Sequence, residues 1–152
     1  MPAADRSTLR DTVERRARGR CEYCRSPARY STYTFSLDHI VPRSQGGVTS
    51  LDNLALACQG CNSHKYNKTQ SSDPFTKQRV NLFHPREQRW QEHFAWDEQF
   101  ERILGVTASG RATVEALQLN RAELLNLRKL LYTAGEHPLP DVDDTPDVSG
   151  TL

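Results

Sequence analysis

The four cysteines of this chain form two pairs of identical spacing, Cys21/Cys24 and Cys58/Cys61. Two thiolates separated by two residues make half of a tetrahedral metal site, and a second such pair completes it. Folding must therefore bring residues 21–24 and 58–61 within reach of one ion. In a reducing compartment such pairs are metal ligands more often than disulfides. A lone Cys-x-x-Cys also reads as a redox pair, but two pairs bracketing a glycine-rich loop favour zinc. Four sulfurs leave no open coordination position, so the expected zinc is structural and takes no part in chemistry.

Between the pairs runs a strand, loop, strand and helix order. Tyr33, Phe35 and Leu37 alternate with Thr34 and Ser36, the period of a half-buried strand, and this strand runs into Asp38 and His39. Pro42 interrupts it, and Gly46-Gly47 permit a reversal. Leu54 and Leu56, with the alanines around them, return as a second strand, and "CNSHKYNK" continues as a helix. Outside the pairs, Ser7, Leu9, Val13, Ala17 and Gly19 read as a capped helix over 8–18. Its arginines, Arg10, Arg15, Arg16 and Arg18, read either as a solvated face paired to Asp11 and Glu14 or as a phosphate-contacting face. Residues 70–90 read as connection with a hairpin near Val80, Leu82 and Phe83. "HFAW" and "RILGV" read as a second hairpin, and residues 121–134 as a helix opened by an Asn120/Glu123 capping box. The acidic, proline-containing segment 136–152 reads as a disordered tail.

Asp38, His39 and Asn62 are residue types suited to phosphodiester hydrolysis. Asp and Asn offer oxygen ligands to a magnesium-like ion, and His is the side chain best able to take a proton from water near neutral pH. Adjacent strand residues point to opposite faces, so Asp38 and His39 can share a site only where the strand ends. On a helix Asn62 and Lys65 share a face while His64 points elsewhere. Lys65 thus reads as a phosphate contact; it and Lys68 also read as ordinary exposed lysines.

Taken together, "CEYC", "LDHIVPRSQGG", "DNL" and "CQGCNSHK" resemble the HNH endonuclease family in its zinc-stapled form. The resemblance spans about residues 20–68, and "LFHPREQRWQEHFAW" and "GVTASGRATVEALQLNR" resemble an extension found in small bacterial members. It implies an α+β chain with a ββα-metal core. A single nuclease domain would then span 1–135, with a catalytic core at about 20–70 and an extension at about 71–135. By the same resemblance, Asp38 and Asn62 hold one catalytic Mg2+ or Mn2+ and His39 is the general base. Asn53 holds the loop and orients His39. Apart from the resemblance, Arg43, Lys65 and Lys68 are the expected substrate contacts, Lys65 because it shares a helix face with Asn62. DNA is the implied partner, cut to 5′-phosphate and 3′-hydroxyl ends, and a homodimer would let a single-site unit cut both strands.

Charge distribution agrees with a polyanionic partner. Residues 1–89 hold 15 Lys/Arg against 8 Asp/Glu, and residues 90–152 hold 5 against 11. "MPAADRSTLR" has no apolar run and no stretch is apolar enough to span a bilayer, so the expectation is a soluble, cytoplasmic protein. Two other classes compete with the nuclease. One is a zinc-stabilised nucleic-acid-binding module that keeps the fold without significant catalysis. The other is a zinc-dependent protein-interaction domain, which the basic first part disfavours.

Overall fold

The computed structural model describes residues 6–139. They fall into two compact units, one ending at residue 69 and the other beginning at residue 70. The expected tail over 136–152 lies, from residue 140 on, outside the described residues.

In the first unit, helix α1 (Arg6–Arg16) precedes strand β1 (Ser36–His39), strand β2 (Leu54–Ala57) and helix α2 (Gln59–Lys65). This is the expected α+β core with ββα order. β1 and β2 pair antiparallel, with Leu37 opposite Leu56, Asp38 opposite Ala55 and His39 opposite Leu54. All four residues of β2 are buried, so this short strand forms the floor of the unit. Its outer edge is paired too: Glu22 N–H donates to Leu56 O and Leu56 N–H to Glu22 Oε2, both at 2.8 Å. A free edge is thereby closed by the loop that carries the first cysteine pair.

Two expectations are corrected here. β1 begins at Ser36 and not at Tyr33, which is 73% exposed. The reason is local competition, since Ser31 Oγ accepts from Tyr33 N–H and donates to Tyr33 O, holding residues 31–33 in a turn. The arginine face of α1 is also only partly a face. Arg10 pairs with Glu14 at 3.1 Å, but Arg16 donates at 2.7 Å to both Leu51 O and Leu54 O, fastening the helix to the start of β2.

The second unit carries two antiparallel hairpins, β3 (Gln70–Ser72) with β4 (Arg79–Asn81) and β5 (Phe94–Trp96) with β6 (Ile103–Gly105). Helices α3 (Trp90–His93), α4 (Ala108–Leu117) and α5 (Ala122–Thr133) complete it. Both hairpins and α5 answer to the sequence reading. α4 does not, because Gly110 inside it weakens the helical signal. A side chain there would collide with the His93 carbonyl, so the glycine serves close packing, and Thr107 caps the helix by accepting from Gly110 N–H. The Asn120/Glu123 capping box is absent too. Arg121 is the N-cap of α5, and Asn120 instead accepts from Ile103 N–H and donates to Ile103 O.

Candidate metal staple and active-site cavity

The four cysteine sulfurs converge: all lie within 4.8 Å of one another, with Cys24 and Cys58 Sγ 3.6 Å apart. Four sulfurs at about 2.3 Å from a common zinc would be separated by roughly 3.8 Å, so the spacing fits a tetrahedral ion. Each pair is a tight knuckle in which the second cysteine's N–H donates to the first one's sulfur at 3.4 Å. Burial pushes the Cys21 thiol above its ordinary value. A cation among them is what would let four buried sulfurs ionise together. The chain thus brings together every residue expected at the structural zinc.

Both knuckles also place residues of a second site. Cys58 is the N-cap of α2, its sulfur accepting from Cys61 N–H, so Asn62 follows in the first turns of the helix. Tyr23, inside the other knuckle and 1% exposed, donates its hydroxyl to Asp38 Oδ2 at 2.7 Å. Burial first, and then the Asp38 charge, hold that phenol above its ordinary value, so it remains a donor. No signal in the sequence singles out Tyr23 beyond its place between the two cysteines.

Asp38 points inward from β1 and is 4% exposed. Lys65 meets it from α2, with Nζ 3.1 Å from Oδ2 and 3.3 Å from Oδ1, and donates as well to His39 O and Ile40 O. Burial raises the Asp38 carboxyl above its ordinary value, while Lys65 and then Tyr23 oppose the rise. Lys65 is itself 1% exposed. The expectation that it contacts phosphate is therefore corrected: its helix face looks onto the end of β1, and its ammonium ties that end to α2.

His39 points the other way, as strand alternation requires. Its Nε2 lies 2.8 Å from Thr49 Oγ1, in the loop after β1. That loop is held by Asn53, whose Oδ1 accepts from Val41 N–H and whose Nδ2 donates to Val41 O and Val48 O. Asn53 thus grips both arms of the loop, and among the described residues none of its side-chain bonds reaches the His39 ring. Thr49, next to Val48, makes that contact instead, a residue the sequence reading missed. Gly46 turns the chain at φ +87°, and Gly47 lies so close to Val41 that any side chain would collide with its carbonyl.

Although Asp38 and His39 diverge, both line one open cavity of about 420 Å³ at the end of β1, together with Asn62 and Arg43. The Asn62 side chain makes no hydrogen bond to any described residue, so its amide oxygen is available to a ligand. Asp38 retains acceptor capacity on Oδ1, which holds a single long contact. An oxygen-preferring divalent ion fits that donor pair. Lys68 is exposed, donates to His64 O and does not line the cavity; His64 is exposed on α2.

Residues 21–68 match a family model described as HNH endonuclease. No curated protein and no solved structure matches the chain. Among the described residues no helix is long and apolar enough to cross a membrane.

Proposed function

We propose that this chain, which carries a zinc-stapled HNH endonuclease domain over residues 21–68, hydrolyses DNA phosphodiester bonds in the cavity at the end of β1. The observation that carries the reading is the convergence of Asp38, His39, Asn62 and Arg43 on that one cavity. His39, whose Nε2 lies 2.8 Å from Thr49 Oγ1, takes a proton from the attacking water. The resulting hydroxide adds to phosphorus, the bond to the 3′ oxygen breaks, and that oxygen is protonated from solvent, giving 5′-phosphate and 3′-hydroxyl ends. Asp38 and Asn62 would hold a Mg2+ or Mn2+ ion, which would supply neutralisation of the negative charge that builds during hydrolysis. Arg43, exposed at the cavity rim, pairs with a phosphate oxygen. Lys65 and Tyr23 hold Asp38 in place, and Asn53 holds the loop that presents Thr49 to His39.

Supercoiled plasmid incubated with the protein and Mg2+ or Mn2+ should be nicked. Chelator should abolish nicking, and His39→Ala should reduce it by about 100-fold or more, the scale of a lost general base. Equal nicking by wild type and His39→Ala would refute the general base. Metal-independent binding without nicking under any metal would leave a nucleic-acid-binding module in place of an enzyme.

A further inference from the structure

Tyr66 ends α2 in a backbone conformation that tyrosine does not favour. Its N–H closes the last turn on Asn62 O at 3.0 Å, but its φ of 52° and ψ of −114° fall outside the left-handed helical region. Glycine enters such conformations freely, whereas a residue with a Cβ does so at a cost. Packing does not offset that cost, because the side chain is 75% exposed. Among the described residues its hydroxyl makes no hydrogen bond and its ring stacks on no other ring. The ring nevertheless lines the same cavity as Asp38, His39 and Asn62. Its surroundings are fixed: Gln45 Nε2 donates to Asn67 O at 2.7 Å, and Lys68 N–H donates to Lys65 O at 2.9 Å. A strained, exposed aromatic side chain on a pinned rim is what a substrate-contacting residue looks like before its substrate arrives.

We infer that Tyr66 is a stacking platform for the nucleobase next to the phosphodiester held in the cavity, an inference that rests on the nuclease reading. Among the described residues that line the cavity, Arg43 is the single Lys or Arg, beside the flat aromatic surface of Tyr66. A nucleotide has the matching pair, an anionic phosphate and a planar base. Inside a duplex both faces of a base are covered by its neighbours, and only a base that has left the stack can lie on a protein ring. The preferred substrate is therefore a strand whose base beside the cut is unpaired, as in single-stranded, frayed or flapped DNA.

The test uses single-stranded oligonucleotides carrying 2-aminopurine at successive positions, bound to the full chain without added divalent metal. Stacking should quench the fluorophore in one register, equally with Tyr66→Phe. Tyr66→Ala should lose the quenching and bind about 5- to 150-fold more weakly, the range of one base stacked on an aromatic ring. Tyr66→Gly should lose it too while raising the melting temperature, because it relieves the backbone. Quenching unchanged in Tyr66→Ala, or a lower melting temperature in Tyr66→Gly, overturns the inference. Cleavage is scored separately with Mg2+. A wild type that cuts, with quenching indifferent to Tyr66, overturns the platform and leaves the nuclease. One that shows Tyr66-dependent quenching but never cuts leaves the platform and overturns the nuclease. One that neither binds nor cuts overturns both.

Discussion

Replacing Lys65 by Met keeps most of the aliphatic stem and removes one buried charge. The Asp38 and Lys65 side chains are 4% and 2% exposed, and their charged atoms are 3.1 Å apart. At an effective dielectric of about 20, that separation corresponds to about 5 kcal/mol of attraction. Truncating one member of such a pair typically costs about 3–5 kcal/mol. The loss has a ceiling, because the stranded carboxylate can take up a proton instead. With an unfolded carboxyl pKa of about 3.9 and about 1.4 kcal/mol per pH unit, neutralising Asp38 at pH 7 costs about 4 kcal/mol. Burial already raises the Asp38 carboxyl in the native protein, and loss of Lys65 raises it further. Below about pH 4 both folded and unfolded chains hold the proton and the penalty vanishes. As pH rises only the unfolded chain ionises, so stability falls until the pH reaches the folded pKa. Because burial raises the carboxyl in wild type as well, the two proteins differ only above the wild-type folded pKa. Lys65→Met should therefore cost at most about 4 kcal/mol at pH 7, shrinking by about 1.4 kcal/mol per pH unit toward acid and vanishing at that pKa. Hydrogen exchange of the slowest β1 and β2 amides, corrected for intrinsic rates, measures this between pH 5 and 7. A loss independent of pH, or one under about 1 kcal/mol with weakened DNA binding, would refute the buried-pair reasoning and return Lys65 to the phosphate.

Two further outcomes follow from the staple and from the second unit. Cys58→Ser should lose bound zinc and sharply lower the melting temperature, because ligand binding at such a site is folding free energy; full zinc content with an unchanged melting temperature would remove the structural role. In the second unit Asp73, fully buried, accepts from Arg111 Nε and Nη2 at 2.9 Å each and from Thr76 Oγ1. Arg111 beside it holds its carboxyl well below the usual range. A depressed carboxyl stabilises fully above its unfolded pKa of about 3.9, and the contribution is lost as pH falls below that. Arg111→Ala should thus shift acid unfolding of this unit to higher pH. Fluorescence of Trp90 and Trp96, the chain's two tryptophans and both in this unit, follows it; coincident transitions would refute the link.

The features legible in the sequence are those fixed by local chemistry. Cysteine spacing fixes the staple, the glycines fix the loop of the hairpin, and the leucine repeat fixes α5, whereas the Tyr33/Phe35/Leu37 alternation overstates β1, which begins at Ser36. Side-chain partners set at long sequence separation are not written in any local pattern. Tyr23 meets Asp38 across fifteen residues and Lys65 meets it across twenty-seven. Periodicity shows that Asn62 and Lys65 share a helix face, but not that this face lies against the end of β1. An exposed phosphate-binding lysine and a buried ion-paired one have the same spacing. Thr49 is hidden for a similar reason, since its partnership with His39 depends on the path that Asn53 and the two glycines impose on the loop.

The adjacency of Asp38 and His39, awkward for a strand, is then what sends their side chains into different surroundings, as the proposed division of metal ligand and base requires. Alternation sends Asp38 to the dry side, where Tyr23 and Lys65 can fix a carboxylate that water would otherwise let turn. It sends His39 to the other, half-buried face, where its ring meets Thr49 of the loop. Both reach one cavity only because β1 stops after His39 and Pro42 turns the chain, exposing the strand's end to α2 and the loop together. Lengthening β1 would bury that end in a ladder and divide the pair between two faces of a sheet. The short strand is therefore a requirement of the site, and the staple that braces Tyr23 and Asn62 on either side is what allows so short a hairpin to hold its geometry.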